Sequence, residues 1–172
     1  IPRCISARGA QAGLFHHYGI EKHELAAKLS GVYEHVLERR DSPLVRGFDD
    51  RFWAVHSRYT GVDEQAVRAC PELEVVASSA EAGLYVVKSA GSRRFFVFGH
   101  PEYDADTLKL EYERDVAAGI SPEVPVNYFP HDDPTQAPRC CWRAQAQLLY
   151  TNWLNYYVYQ TTPYDVTCAG ER

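Results

Sequence analysis

The sequence predicts an α/β protein arranged as a single domain over residues 1–172, and three observations carry that prediction. Short runs rich in β-branched and aromatic residues alternate with segments of helical character. The chain opens on "RCISARGAQAGLFHHYG", an apolar run that turns through Ala7-Arg8-Gly9 into a helical stretch. Hydrophobic residues make up 45% of 172 residues, enough for one sizeable core.

The elements follow in order. The opening strand leads into a helix from Gln11 to Tyr18, closed at Gly19. Glu24 to Leu29 reads as a short helical turn with Lys28 near its end. "GVYEHVL" and "RFWAVHSRYTGV" are strand-like. "DEQAVRAC" is a helix stopped by Pro71, and Leu73 to Ala77 is the strand after it. "GLYVVKS" and "RRFFVFGH" are two strands joined at Ala90-Gly91-Ser92. Asp104 then caps a helix through Leu108, Tyr112 and Val116 that ends at Gly119. The stretch 121–138 holds Pro122, Pro125, Pro130, Pro134 and Pro138, so it is an extended loop. Pro138 suits the first turn of a long final helix that ends before Pro163. The chain contains no Met and its first residues already belong to a core element, so it reads as a fragment with the N-terminal part of its sheet missing.

Composition removes several function classes. A net charge of -5 offers no general attraction to phosphate backbones, so neither nucleic acid nor an anionic membrane is an expected partner. No apolar run approaches a membrane span and no signal pattern opens the chain, which points to a cytoplasmic protein. Cys4, Cys70, Cys140, Cys141 and Cys168 are odd in number and form no C-x-x-C pair, so neither a disulfide framework nor a zinc knuckle is indicated. His16, His17 and His23 lack acidic or Cys partners at ligand spacing, and no metal is expected.

Four constellations bear on chemistry. The opening strand–turn–helix has the shape of a nucleophile elbow, yet its turn carries no Ser or Cys. In "FFVFGHPEYD", Pro101 favours an extended backbone, so His100 and Glu102 can point to one side and pair as an oriented base. A surface His-Pro-Glu turn fits the same residues. In "VHSRYTG", His56, Ser57 and Arg58 end a strand where hydroxyl and guanidinium groups can hold a small polar substrate, or merely form a solvated loop. Lys28 and Arg114, each on a predicted helix, can pair with a substrate carboxylate; for Arg114 the neighbours Glu111 and Asp115 offer a surface ion pair instead. The aromatic run of the last helix, including Trp142, Trp153 and Tyr157, has almost no interleaved cations and reads as core or subunit interface.

Taken together, "GAQAGLFHHYGI", "KLSGVYEH", "RGFDDRFWAVHSRYTGV", "FGHPEYDADTLKLEYERD", "VPVNYFPHDDPTQAP" and "LLYTNWLNYYVYQTTPYD" resemble the homoserine O-acyltransferases of methionine biosynthesis, the homoserine O-succinyltransferase type. The resemblance runs from about Gly9 to Asp165 and covers the C-terminal part of such an enzyme. It implies a class I glutamine amidotransferase-like, flavodoxin-like three-layer sandwich. It also implies acyl transfer from acyl-CoA, a co-substrate with no further cofactor, to the hydroxyl of L-homoserine through a cysteine thioester, in a homodimer. His100 matches the general base and Glu102 its orienting residue, while Lys28, Ser57 and Arg114 match substrate-binding positions.

The family's elbow reads Cys-Trp-Gly-Ala-Gln-Ala, and this chain has Ala7-Arg8-Gly9-Ala10-Gln11-Ala12, so Ala7 stands at the nucleophile position. Cys4 lies three residues upstream, an odd offset that turns its side chain to the opposite face of a strand. Either the first residues are an aberrant start, or the chain is a degenerate copy that kept its binding residues and lost the thiolate. Three activities therefore stand: a homoserine acyltransferase fragment, an inactive homoserine-binding or interaction module, and an amidotransferase-like hydrolase using the same Cys-His-Glu logic. The donor, succinyl or acetyl, is not legible in these residues.

Overall fold

The structure is a computed structural model and describes residues 2–160. Pro163, Cys168 and Arg172 lie outside the described residues. Six strands form one mixed sheet in the order β1-β6-β5-β4-β2-β3. These are β1 (Arg3–Ser6), β2 (Lys22–Leu37), β3 (Arg51–Val62), β4 (Leu73–Ser79), β5 (Gly83–Ser89) and β6 (Arg94–Val97). Strand β1 runs parallel to β6, and the other pairs are antiparallel.

Helices cover both faces. Strand alternation sends Phe96 and Phe98 to one face, where they pack with Ala10 and Leu14 of α1 (Arg8–Tyr18) and Val67 of α2 (Glu64–Ala69). Phe95 and Val97 point the other way, against Leu149 of α4 (Arg143–Asn152) and Tyr157 of the π-helical stretch Trp153–Tyr159 that continues it. Both faces of β4 and β5 are therefore covered, which is why "LEVVASS" and "GLYVVKS" read as nearly continuous apolar runs. A third cluster joins Val32 and Val55 of β2 and β3 to Leu108 of α3 (Thr107–Ala117) and to Tyr128, Phe129 and Trp142. The result is the expected three-layer α/β arrangement.

Three local expectations are corrected. Glu24 to Leu29, with Lys28, is not helical but part of β2. Pairing with β3 runs from Lys22↔Val62 to Val36↔Arg51, with a register shift between Glu24 and Leu29. Helix preference is worth tenths of a kcal/mol per residue and a one-turn helix is unstable alone, so the cross-strand ladder prevails. Asp104 does not cap α3 with its side chain; the helix starts at Thr107, whose N–H donates to the Asp104 carbonyl. Pro138 does not open the last helix. Arg139 N–H donates to Tyr128 O, holding that stretch against the loop, and α4 starts only after Trp142, whose indole N–H donates to Tyr103 O.

The proline-rich loop is anchored to β2. Val126 N–H donates to Ser30 O and Val32 N–H to Val126 O. Gly31 makes this approach possible: at φ 151° a Cβ there would lie 2.5 Å from Val126 O. The loop thereby closes over the same end of β2 and β3 that carries Lys28 and Ser57.

Candidate active site

Ala7 joins β1 directly to α1, with φ 50° and ψ -124°, a conformation disfavoured for any residue bearing a Cβ. Its N–H donates to Val97 O at 2.7 Å and its carbonyl accepts from Ala10 N–H at 3.0 Å, so the turn is clamped from both sides. This is the strained strand-to-helix geometry of a nucleophile elbow, with the N-terminus of α1 behind it. Its side chain is a methyl group. Cys4 packs toward the α4 face of the sheet, and burial, with Glu102 adding to it, pushes its thiol up to about 11. It is therefore neither beside the elbow cavity nor a ready thiolate.

His100 lies three residues beyond β6, and its N–H donates to Val55 O at 2.8 Å. Its Nδ1 is 2.8 Å from Glu102 Oε1, and the Tyr103 ring stacks on the imidazole at 4.2 Å between centroids. Burial opposes ionisation of Glu102 most strongly of any single cause, but the hydrogen bond to His100, a backbone hydrogen bond and the charge of the imidazole together outweigh it, and its carboxyl lies below the ordinary value. With Nδ1 engaged by a carboxylate, Nε2 is the nitrogen left for proton transfer.

The elbow borders a cavity of about 430 Å³. Ala7, Lys28, Ser57, His100 and Arg114 all line it, so residues scattered over more than a hundred positions in the sequence meet at one end of the sheet. Glu102 sits behind His100 and does not itself line the cavity. The hub is Glu111. Its Oε2 accepts from Ser57 Oγ at 2.5 Å and from Lys28 Nζ at 3.4 Å, and its Oε1 accepts from Tyr103 OH at 2.5 Å. Burial works against the charge, yet these donors together hold its carboxyl below the usual range. Lys28 also reaches Asp115 at 3.0 Å, and Arg114 grips the same carboxylate at 2.7 Å. Lys28 and Arg114 are thus already paired, the ion-pair alternative that the sequence offered for Arg114.

Of the "VHSRYTG" residues, Ser57, Arg58 and Tyr59 line the cavity, while His56 is fully buried and does not. Sequence reasoning missed Glu111 and Tyr103 as members of the cavity wall. The signal for Glu111 was its i, i+3 relation to Arg114 on one helix face. His16 and His17 meet edge to face on the exposed last turn of α1, at 4.6 Å between centroids, and do not line the cavity. Among the described residues, no helix is long and apolar enough to cross a membrane.

Comparison with known proteins identifies the family and the fold. The family profile described as Homoserine O-succinyltransferase matches residues 4–164. The chain belongs to this family. Among curated relatives, a protein of Lachnospira eligens named homoserine O-acetyltransferase is 58% identical over 158 residues, which is 92% of this chain and 51% of the relative. One of the same name from Lysinibacillus sphaericus is 56% identical over 157 residues, 91% of this chain and 50% of the relative. The chain thus spans about half the length of the curated relatives it matches. Among solved structures, a glutamine amidotransferase from Thermotoga maritima aligns with a TM-score of 0.61 at 16% identity, covering 90% of this chain and 61% of that one. A second, from Methylobacillus flagellatus, gives 0.59 at 16%, covering 90% and 62%. The fold is that of the class I glutamine amidotransferases, as the sequence resemblance implied.

Proposed function

We propose that this chain is the homoserine-binding and base-supplying part of a homoserine O-acyltransferase, which moves an acyl group from acetyl-CoA or succinyl-CoA to the hydroxyl of L-homoserine. One observation carries the reading: the His100–Glu102 pair, Ser57, Lys28, Glu111 and Arg114 converge on a single cavity at the elbow turn. L-Homoserine carries an ammonium and a carboxylate on one carbon and a hydroxyl two carbons away. Glu111, the acid of the cavity wall, suits the ammonium, and Arg114 and Lys28 suit the carboxylate. The hydroxyl would then lie toward His100.

In the chemistry proposed for the whole enzyme, a thiol at position 7 gives its proton to His100 Nε2 and attacks the acyl-CoA carbonyl carbon. CoA leaves as its thiol, taking that proton, and a thioester remains. His100 next takes the proton of the homoserine hydroxyl as its oxygen attacks the thioester, and the elbow thiol is released. Glu102 keeps the imidazole oriented and offsets its transient positive charge. N–H groups at the start of α1, next to position 7, would stabilise the charge that gathers on the carbonyl oxygen.

Ala7 favours a second reading of this particular chain, a homoserine-binding module without the first chemical step. Intact-mass measurement after mixing with acetyl-CoA or succinyl-CoA, beside titration with L-homoserine, tests both. The chain should bind L-homoserine and take up no acyl group, whereas Ala7→Cys should gain one acyl mass. An adduct on Cys4, or no homoserine binding at millimolar concentration, would overturn the assignment.

A further inference from the structure

His35 and His56 are both fully buried, on neighbouring strands, and take no part in the cavity. Their Nε2 atoms lie 3.0 Å apart with the rings near parallel, at 12° between planes. His35 Nδ1 lies 2.9 Å from Tyr33 O. A carbonyl oxygen only accepts, so His35 carries its proton on Nδ1. Among the described residues, the titratable and charged groups facing the pair are Tyr33, Tyr85, Arg58 and His100, and no carboxylate is among them. Burial without an acid partner keeps both rings neutral, and it brings His35 down to about 4. A neutral His35 presents a lone pair at Nε2, so His56 donates from Nε2. That leaves His56 Nδ1 bare, and it is indeed buried with no hydrogen-bond partner.

An apolar side chain at position 56 would fill the same space with no orphaned nitrogen, so the polar pair costs stability and calls for a return. The return lies one residue away on either side. Val55 O accepts the His100 N–H, and Ser57 Oγ donates to Glu111. Tyr85 packs on both imidazoles, at 4.9 and 6.0 Å between centroids. It also presses on Gly99, where a Cβ would lie 2.6 Å from its ring and 2.8 Å from Val55 O.

We propose that His35 and His56 are positioning residues, a directional single-proton latch between β2 and β3 that fixes Val55–Ser57 and, through them, His100 and Glu111. The proposal deepens the functional reading above and rests on it for the meaning of His100 and Ser57. The sheet ladder pairs His56 with Gly31 and alternation turns its side chain to the core, but neither fixes the rotation of the ring. The N–H···N bond does, because only one rotation of each ring closes it.

Ring-nitrogen NMR of the ¹⁵N-labelled 172-residue chain at pH 7 tests the latch directly. The expected signature is a neutral Nδ1–H tautomer for His35, a neutral Nε2–H tautomer for His56, and a coupling between their Nε2 atoms. A charged ring or reversed tautomers would overturn it. His56→Gln retains a donor near the Nε2 position and His56→Leu does not. The Leu variant should shift the His100 and Ser57 amides and raise the dissociation constant for L-homoserine about tenfold, with Gln within about twofold of the unmodified chain. Equal behaviour of Leu and Gln, or unmoved amides in Leu, would refute the positioning role. If Leu fails to fold, the tautomers and the Gln variant still decide. An unmodified chain that binds no homoserine refutes the functional reading instead, while the amide shifts continue to judge the latch.

Discussion

Replacing Glu111 by Ala removes the acceptor of three side-chain donors at once. Ser57 and Tyr103 each sit at 2.5 Å and Lys28 at 3.4 Å, and the Glu111 side chain is 19% exposed. Hydrogen bonds to a charged group contribute about 1.5–3 kcal/mol each when water is excluded. Two strong ones would give about 3–6 kcal/mol, and water entering from the adjoining cavity recovers part of that, leaving a loss of about 2–4 kcal/mol. For a chain of this size each kcal/mol moves the melting temperature by about 2–4 °C, so Glu111→Ala should melt roughly 5–15 °C lower. Glu111→Gln keeps one carbonyl acceptor, and the Ser57 hydroxyl can turn to accept from the amide, so its stability loss should be about half as large. Homoserine binding should separate the two quantities. Gln cannot neutralise an ammonium, so Glu111→Gln should weaken binding by about 2–5 kcal/mol despite its milder thermal effect. Calorimetric melting and ligand titration on the same samples measure both. A Glu111→Ala variant that melts within 2 °C of the unmodified chain (a loss of about 1 kcal/mol at most), or a Gln variant that binds homoserine normally, would refute the hub.

Acid should destabilise the site before the rest of the sheet. Glu102, Glu111 and Asp115 all lie below their ordinary values of 4.5, 4.5 and 3.8, so the stability they contribute is present above those values and is lost as pH falls through the lower folded ones. Urea midpoints measured from pH 7 to pH 3 should fall below about pH 4.5, and less steeply in Glu111→Gln; an unchanged slope would count against the shift at Glu111. Ala7→Gly should stabilise the chain by about 1 kcal/mol, because Gly accepts the positive φ of the elbow without a Cβ clash. A lower melting temperature for that variant would mean that Ala7 is unstrained.

The sequence already showed the elbow, the hairpin at Ala90-Gly91-Ser92 and the His100–Glu102 pair, because each is set by neighbours within a few residues. What it hid is non-local. Glu111 looks like a surface acid beside Arg114, and only the approach of Ser57, 54 positions away, and Lys28, 83 positions away, makes it a hub. Leu25, Ala26 and Ala27 favour a helix around Lys28, and the pairing that overrides this preference comes from β3. His56 stands between Val55 and Ser57, and strand alternation alone sends it to the core. Its partner His35 is 21 residues away and carries no local mark. Pro138 satisfies a local rule for a helix start, but α4 begins only at Arg143, after Trp142 has reached Tyr103 O.

Strand β1 has β6 on one side, and among the described residues no strand on the other. Alternation directs the backbone groups of Cys4 and Ser6 away from β6, next to the turn that holds Ala7. An added strand would hydrogen-bond the very segment that sets the elbow, and its binding free energy would be shared with the turn's conformation. Elbow geometry is therefore subject to mass action. Whatever occupies that edge stabilises the strained turn by RT ln(1 + [L]/Kd), and dilution withdraws the support.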